Sequence, residues 1–293
     1  MKTFTDCATA LITPFKENEI DYNSLDKLIE MQIDSGIKTL VVCGTTAETS
    51  TLSSDERNML ISYVIEKVRG RCKIIVGTGS NDTNHAIELS NEAEKLGADA
   101  LLIVTPYYNK CTQEGLYMHY SLIAQSVNIP IILYNVPSRT NVNLEVSTIE
   151  KLSRISNIVG IKEASKNIGH IMELFNKLDT SKFSIYCGND DLTYLFYTLG
   201  GSGIISVVSN LIPYEISTMC NILSTGNFTK GKYFQFKYLN LINEIFKSIN
   251  PIGIKEAMHL KHYCLNNLRL PLSNLNSDEI TSLKSVLESY NIL

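Results

Sequence analysis

Lys162 is the residue of this sequence that is best placed for covalent chemistry. It follows the apolar residues 158–161 and precedes a polar segment. Such a run is typical of a buried parallel strand whose end projects the lysine into a site. Because burying an ammonium is costly, the lysine must be paired with an anion or held in its neutral, nucleophilic form. The neutral form can make a Schiff base with a carbonyl compound. The competing interpretation is a solvent-facing lysine just beyond a strand.

Lys255 is an internal rival, because residues 253–257 repeat the letters G-I-K-E-A of residues 160–164. Its flanks differ from those of Lys162. Asn250 and Pro251 precede it, as expected of the first turn of a helix, and no turn signal follows. We therefore expect Lys255 to lie in the first turns of a helix, with its ammonium in water. Lys162 is the better candidate for the reactive lysine.

Composition excludes several classes of protein. The 293 residues are 44% hydrophobic and 19% charged, which suits a large ordered core. A net charge of -4 without a basic run argues against nucleic acid and against an anionic membrane surface as partners. No apolar stretch approaches the roughly 18 residues of a membrane span, and the first residues lack a signal-peptide core. We expect a cytoplasmic protein.

The cysteines and histidines point to neither disulfides nor a metal. The seven cysteines are scattered, without a C-x-x-C pair, and several lie in apolar runs. This distribution favours free thiols in a reducing compartment. His259 and His262 could share a helix face, but no third ligand is evident. We expect no metal and no cofactor.

Eight short apolar runs alternate with segments of helical character. Strands that are covered on both faces are continuously apolar in this way. The runs occupy residues 7–12, 39–43, 73–76, 100–104, 130–133, 158–161, 183–186 and 203–206. Helical periodicity marks residues 82–96, 113–126 and 167–178, and Ser53 with Glu56 forms a capping box. The pattern predicts an α/β protein with a (β/α)8 TIM barrel. A doubly wound sheet is the alternative fold, but the sequence has no G-x-G-x-x-G motif, which is typical of that fold.

The pattern beyond about residue 225 is helical only. Residues 228–249, 251–265 and 277–292 are predicted to form three helices without intervening strands. We therefore expect a catalytic barrel over residues 1–225 and a C-terminal helical appendage over residues 226–293. The appendage would pack on the barrel or serve in assembly.

The predicted strand ends bring together groups suited to a keto acid. Thr45 and Thr46 follow the second strand in a tight turn that can hold a carboxylate. Tyr134 ends the fifth strand and can relay protons, and Arg139 beyond it offers a fork for a second carboxylate. Taken singly, they could equally be a loop cap, a core aromatic and a surface salt bridge. We expect the acids Asp190 and Asp191 to cap the next helix.

Jointly, these groups suggest a class I, lysine-dependent enzyme acting on a 2-keto acid. The keto acid would form an imine with Lys162, and loss of a C3 proton would give an enamine that attacks an aldehyde. No metal is needed, because the protonated imine is the electron sink.

Three motifs in this order closely resemble the dihydrodipicolinate synthase (4-hydroxy-tetrahydrodipicolinate synthase) family. They are G-T-T-A-E at residues 44–48, Y-N-V-P-S-R-T at 134–140 and G-I-K-E-A at 160–164. The family belongs to the pyruvate-dependent N-acetylneuraminate lyase superfamily, and the resemblance runs over nearly the whole chain. It implies condensation of pyruvate with L-aspartate-4-semialdehyde in lysine and diaminopimelate biosynthesis.

The resemblance also implies a role for each matching residue. Lys162 would form the imine with pyruvate, and Thr45 and Thr46 would hold its carboxylate. Thr46, Tyr134 and Tyr108 would relay protons, with Tyr108 reaching in from a neighbouring subunit of a homotetramer, a dimer of tight dimers. Some members of the family are dimers. Arg139 would bind the carboxylate of aspartate semialdehyde, and the backbone of Gly188 and Ile205 would complete the pocket.

Two departures from the family pattern have consequences. Ala47 replaces the glycine of the usual G-T-T-G-E turn, so its backbone must avoid positive φ. In lysine-inhibited members, histidines occupy the segment that holds Ser54 and Arg57 here, and a glutamate stands where this chain has His85, whereas Asn81 and Tyr107 match. Losing an anion and adding a cation should weaken lysine binding. We expect weak or absent inhibition by lysine.

Two other functions remain open. A sibling aldolase would cleave N-acetylneuraminate or a 2-keto-3-deoxy sugar acid. The paired threonines and Arg139 favour the synthase, since the resembling sugar lyases commonly have Ser-Thr in the turn and no equivalent arginine. A non-catalytic pyruvate-binding barrel is the remote alternative, and the intact lysine, tyrosine and threonine set argues against it.

Overall fold

Eight parallel strands close into a barrel in the computed structural model, which describes residues 5–293. The first strand pairs with both the second and the eighth, so the sheet has no free edge. The strands are β1 (Asp6–Ala10), β2 (Thr39–Val42), β3 (Lys73–Gly77), β4 (Ala100–Val104), β5 (Ile131–Asn135), β6 (Ile158–Glu163), β7 (Ser184–Cys187) and β8 (Gly203–Ser206). The predicted (β/α)8 barrel is confirmed.

The strands are apolar because the barrel interior and the outer helices cover both of their faces. Every residue of β2, β5, β7 and β8 is buried. Strands in which apolar and polar residues alternate would expose one face to water. The strands of this barrel contribute both faces to a single core. A short antiparallel hairpin, Phe15–Lys16 with Glu19–Ile20, was not predicted.

Twelve helices of the described chain surround the barrel and extend it. Those of the barrel region are α1 (Tyr22–Asp34), α2 (Ser54–Val68), α3 (Thr83–Leu96), α4 (Gln113–Ser126), α5 (Pro137–Thr140), α6 (Val146–Leu152), α7 (Ile168–Lys177), α8 (Thr193–Thr198) and α9 (Pro213–Ser224). The predicted capping box is present, since Ser53 accepts from the Glu56 N–H and Glu56 accepts from the Ser53 N–H. None of the helices in residues 5–293 is long and apolar enough to cross a membrane.

The C-terminal region contains three helices, as predicted, but they are shorter. They are α10 (Phe228–Ile245), α11 (Ile252–Leu260) and α12 (Ser277–Ser289). The first was expected to reach residue 249 and ends at Ile245, four residues earlier. Residues 246–250 therefore form an irregular segment, and they line the mouth of the barrel. Helix α10 packs against α8, α9 and α12.

The cysteines are free thiols, as predicted. All seven are unpaired, and all but Cys111 are buried. Burial raises the pKa of the Cys43 thiol to about 11, so that thiol stays protonated at neutral pH.

Candidate active site

Lys162 occupies the carboxyl-terminal half of β6, where the side chains of a barrel enter its active site. It is 6% exposed, and its Nζ lies 4.5 Å from the centroid of the Tyr134 ring. The two residues are register partners on β5 and β6. The prediction of a buried lysine at a strand end is confirmed, and the solvent-facing alternative is wrong. Its chemical role stays a prediction.

A cavity of about 620 Å³ opens at this end of the barrel. Six of the predicted site residues line it, namely Thr45, Thr46, Tyr134, Arg139, Lys162 and Gly188. Two do not. Ile205 is buried within β8, and Tyr108 is 92% exposed with a positive φ of 73°. Gly188 must be glycine, because a Cβ there would lie 2.7 Å from the Ala164 Cβ.

The lining of the cavity is cationic. Arg139, Lys162, Lys166 and Lys247 contribute to it, and its lining residues include no aspartate or glutamate. Lys166 is paired with Asp191 at 2.7 Å, and Lys247 lies 3.4 Å from a Glu244 oxygen. Within the described chain, Arg139 and Lys162 have no ion pair. This arrangement suits a substrate with carboxylates.

The Thr45–Thr46 turn is a short 3₁₀ helix, Thr45–Ala47, at the end of β2. Cys43 and Glu48 on either side have the positive φ values of 55° and 54°, whereas Ala47 does not. The expectation that Ala47 avoids positive φ is confirmed. Gly77 of β3 lets the turn approach, since a Cβ there would lie 2.4 Å from the Cys43 carbonyl oxygen.

Asn250, in the irregular segment 246–250, joins two predicted site residues. Its Nδ2 donates to the Thr46 Oγ1 at 3.1 Å, and its backbone carbonyl accepts from the Arg139 Nη2 at 2.8 Å. Because Thr46 accepts from Asn250, its own hydroxyl proton is free to be donated elsewhere. The residues around Asn250 indicate only a helix start, so this contact was not predicted.

Lys255 is not in water as expected. It is fully buried on α11, and its Nζ donates to a Glu48 carboxylate oxygen. The other Glu48 oxygen accepts from the Arg269 N–H at 2.9 Å, and the Lys255 Nζ lies 4.2 Å from the Phe15 ring centroid. Burial lowers the pKa of Lys255, although Glu48 opposes this shift. The prediction that Lys255 is solvated is wrong, because its side chain is buried against Glu48, the residue that follows the Thr45–Ala47 turn.

Asp190 also differs from its prediction. It does not cap the following helix but is buried, and it accepts hydrogen bonds from the Ser206 hydroxyl and from the Val207 N–H at 3.0 Å. Burial raises the pKa of its carboxyl, while these two bonds oppose the shift. Asp190 thus ties the end of β7 to the end of β8. Asp191 pairs with Lys166 at the rim of the cavity.

A second cavity of about 420 Å³ lies beside the first. Its lining includes Ser54, Arg57, His85 and Tyr107, positions that the resemblance relates to the lysine site of inhibited members, but not Asn81. The Arg57 guanidinium is buried and donates to the Gly77 carbonyl at 2.7 Å and to the Thr49 hydroxyl at 3.2 Å. No acidic side chain lines this cavity.

Comparison with known proteins identifies the group to which the chain belongs. The model of the dihydrodipicolinate synthetase family matches residues 3–290. The chain belongs to this family. A 4-hydroxy-tetrahydrodipicolinate synthase of Acetivibrio thermocellus is 45% identical over 99% of this chain and 98% of its own length. The family resemblance drawn from the three motifs is confirmed.

Solved structures of the family have the same fold. Dihydrodipicolinate synthase of Thermotoga maritima superposes with a TM-score of 0.98, at 40% identity and over 100% of both chains. The chloride-inhibited enzyme of Acinetobacter baumannii, solved in complex with pyruvate, has a TM-score of 0.96 at 40% identity over 99% of this chain and 100% of its own.

Proposed function

We propose that this protein condenses pyruvate with L-aspartate-4-semialdehyde, as the 4-hydroxy-tetrahydrodipicolinate synthases of lysine and diaminopimelate biosynthesis do. The observation that carries the proposal is Lys162, buried without an ion pair in the described chain and set against Tyr134 in a cationic cavity. The relative with this enzyme name is 45% identical over 98% of its own length. The protein is a Schiff-base enzyme of the lyase class.

The chemistry begins at the Lys162 Nζ. It adds to the C2 carbonyl of pyruvate, and loss of water leaves a protonated imine. Removal of a C3 proton moves the C–H electron pair into the C2–C3 bond and gives the enamine. The enamine carbon attacks the aldehyde carbon of the second substrate, and the aldehyde oxygen takes up a proton. The positive imine nitrogen withdraws the electrons that a metal would otherwise have to stabilise.

The remaining groups bind and transfer protons. Thr45 and Thr46 hold the pyruvate carboxylate, and the backbone of Gly188 completes that pocket. Thr46 and Tyr134 relay protons, and the Asn250 donor leaves the Thr46 hydroxyl proton available for this task. Arg139 binds the carboxylate of the aldehyde substrate. Its guanidinium lines the cavity without a carboxylate partner among residues 5–293.

The proposed assembly is a homotetramer, a dimer of tight dimers, in which Tyr108 completes the relay of a neighbouring subunit. The support is that Tyr108 is 92% exposed, has a positive φ of 73° and does not line the cavity of its own chain. A positive φ is uncommon for a bulky residue, and the exposed ring is accessible to a neighbouring subunit.

Mixed subunits test this role of Tyr108. Neither Tyr108→Phe nor Lys162→Ala should be substantially active alone, but their co-expression should restore activity. In a mixed dimer, one site would have Lys162 from one subunit and Tyr108 from the other. If Tyr108 acted within its own chain, every site in the mixture would lack one of the two groups. Absence of recovery in mixed assemblies confirmed by mass would therefore reject the crossing.

L-Lysine should inhibit weakly or not at all. The cavity that holds Ser54, Arg57 and His85 offers no carboxylate to an ammonium, and the buried Arg57 adds positive charge. Steady-state rates measured against increasing L-lysine would test this expectation. His85→Glu restores an anion and should increase sensitivity relative to the parent. Clear inhibition of the parent at low lysine concentration would contradict it.

Comparing aldehydes tests the function itself. Pyruvate consumption should occur with L-aspartate-4-semialdehyde and not with N-acetylmannosamine. The opposite preference would identify a sibling aldolase of N-acetylneuraminate or of 2-keto-3-deoxy sugar acids. If neither aldehyde is consumed with pyruvate, the result would favour the non-catalytic pyruvate-binding barrel. Cytoplasmic location is part of the proposal and is supported by the free thiols.

A further inference from the structure

Three buried polar atoms without a protein partner belong to residues that line the same cavity as Lys162. They are the Asn189 Nδ2, the Ser248 Oγ and the Asn250 Oδ1. A buried polar atom usually has a hydrogen-bond partner, because leaving it unpaired costs about 1–3 kcal/mol. The proposed roles of Lys162, Thr46 and Arg139 use none of these atoms. Their shared position suggests that they pair with a ligand.

The side chain of Asn250 is held in place by its other contacts. Its Nδ2 donates to Thr46 at 3.1 Å, and its backbone carbonyl accepts from Arg139 at 2.8 Å. The Oδ1 is thus fixed between the site of imine chemistry and the cation proposed for the second carboxylate. Ser248 lies two residues earlier in the same irregular segment. A preorganised acceptor of this kind costs little entropy when a ligand binds.

The charges of the cavity leave one substrate group without a match. L-Aspartate-4-semialdehyde has a carboxylate and, on the adjacent carbon, an ammonium group. The lining supplies cations for carboxylates but no anion for an ammonium. An ammonium donates three hydrogen bonds and needs acceptors. Asn189 offers a donor, so only the Asn250 Oδ1 and the Ser248 Oγ of the three unpaired atoms can accept from it.

We propose that Asn250 and Ser248 bind the 2-ammonium group of the aldehyde substrate, with Arg139 holding the neighbouring carboxylate. The segment 246–250 then selects aldehydes that carry an amino group. This inference rests on the proposed function and adds the residues that recognise one group of its second substrate.

An aldehyde that lacks the amino group distinguishes recognition of that group from a general effect of Asn250 on the site. Succinate semialdehyde retains the aldehyde and the carboxylate, and its inhibition constant can be measured by competition. In Asn250→Ala, the KM for L-aspartate-4-semialdehyde should rise about 10- to 100-fold, the range for a lost hydrogen bond to a charged group. The inhibition constant of succinate semialdehyde should change much less. Ser248→Ala should shift the same ratio in the same direction, by a smaller factor.

Asn250→Asp should change the preference between the two aldehydes in the direction opposite to that of Asn250→Ala. It keeps an acceptor and adds a negative charge, so preference for the amino-bearing aldehyde should increase. It also removes the donor to Thr46, so kcat should fall. A purely structural role of Asn250 would not separate KM from kcat in this way.

Asn243→Ala is the matched control, since Asn243 is exposed on α10 and does not line the cavity. It should leave both constants unchanged. Equal losses for both aldehydes in Asn250→Ala and Ser248→Ala would overturn the inference, and so would unchanged constants. If Asn250→Ala fails to fold, the ratio in Ser248→Ala decides. A parent protein that does not consume L-aspartate-4-semialdehyde would instead reject the proposed function.

Discussion

Replacing Lys162 with alanine should lower kcat/KM by on the order of 10⁴-fold or more. The change removes the nucleophile that converts pyruvate into an imine, and the remaining groups can only bind the substrates. The fold should persist, because Lys162 makes no ion pair in the described chain. Steady-state kinetics would give the loss, and thermal unfolding would show that the variant is folded.

Borohydride reduction in the presence of pyruvate locates the imine directly. The parent protein should gain a pyruvate-derived adduct, and peptide mapping should place it on Lys162. Lys162→Ala should gain none. Lys166→Met is a useful companion, because Lys166 lines the same cavity but is paired with Asp191, and this variant should still be trapped. An adduct on Lys255, or none in the parent, would remove the mechanism.

Replacing Lys255 with methionine should have the largest effect on stability. The buried Glu48 carboxylate would lose its cationic partner, and breaking a buried ion pair from one side typically costs about 3–5 kcal/mol. Glu48 follows the Thr45–Thr46 turn, so the KM for pyruvate should also rise. Urea unfolding at a fixed protein concentration would measure the loss in free energy.

Two further variants test whether the loss of stability comes from the broken ion pair. Lys284→Met, at an exposed position of α12, should change stability by no more than about 0.5 kcal/mol. Adding Glu48→Gln to Lys255→Met should recover part of the loss, because the unpaired buried charge is then removed. If the double variant is no more stable than Lys255→Met, the unpaired Glu48 charge is not the cause of the loss.

The barrel and much of the site were predictable because their signals are local. Each strand is apolar on both faces and so appears as an unbroken run in the sequence. Lys162, Thr45, Thr46 and Tyr134 were found because each of them lies at the end of such a run or directly after it. In a parallel barrel all strand ends meet on one rim, which turns eight local patterns into one site.

What escaped prediction depends on contacts between distant parts of the chain. Lys255 was expected in water because its neighbours indicate a helix start, whereas its partner Glu48 lies 207 residues away. Asn250 and Thr46 are separated by 204 residues, and nothing near either one indicates the other. Asp190 was interpreted as a helix cap because its hydrogen bonds to the end of β8 are not visible in its flanking sequence.

The contacts of Glu48 with Lys255 and of Thr46 with Asn250 also bear on how the protein matures during translation. The barrel strands end at Ser206, but Asn250 and Lys255, which contact Thr46, Arg139 and Glu48, are synthesised later. A nascent chain can therefore pair all eight strands while its reactive centre is still unsupported. Such long-range closure is slow compared with local helix formation. Asn250 and Lys255 must therefore leave the ribosome before these contacts can form.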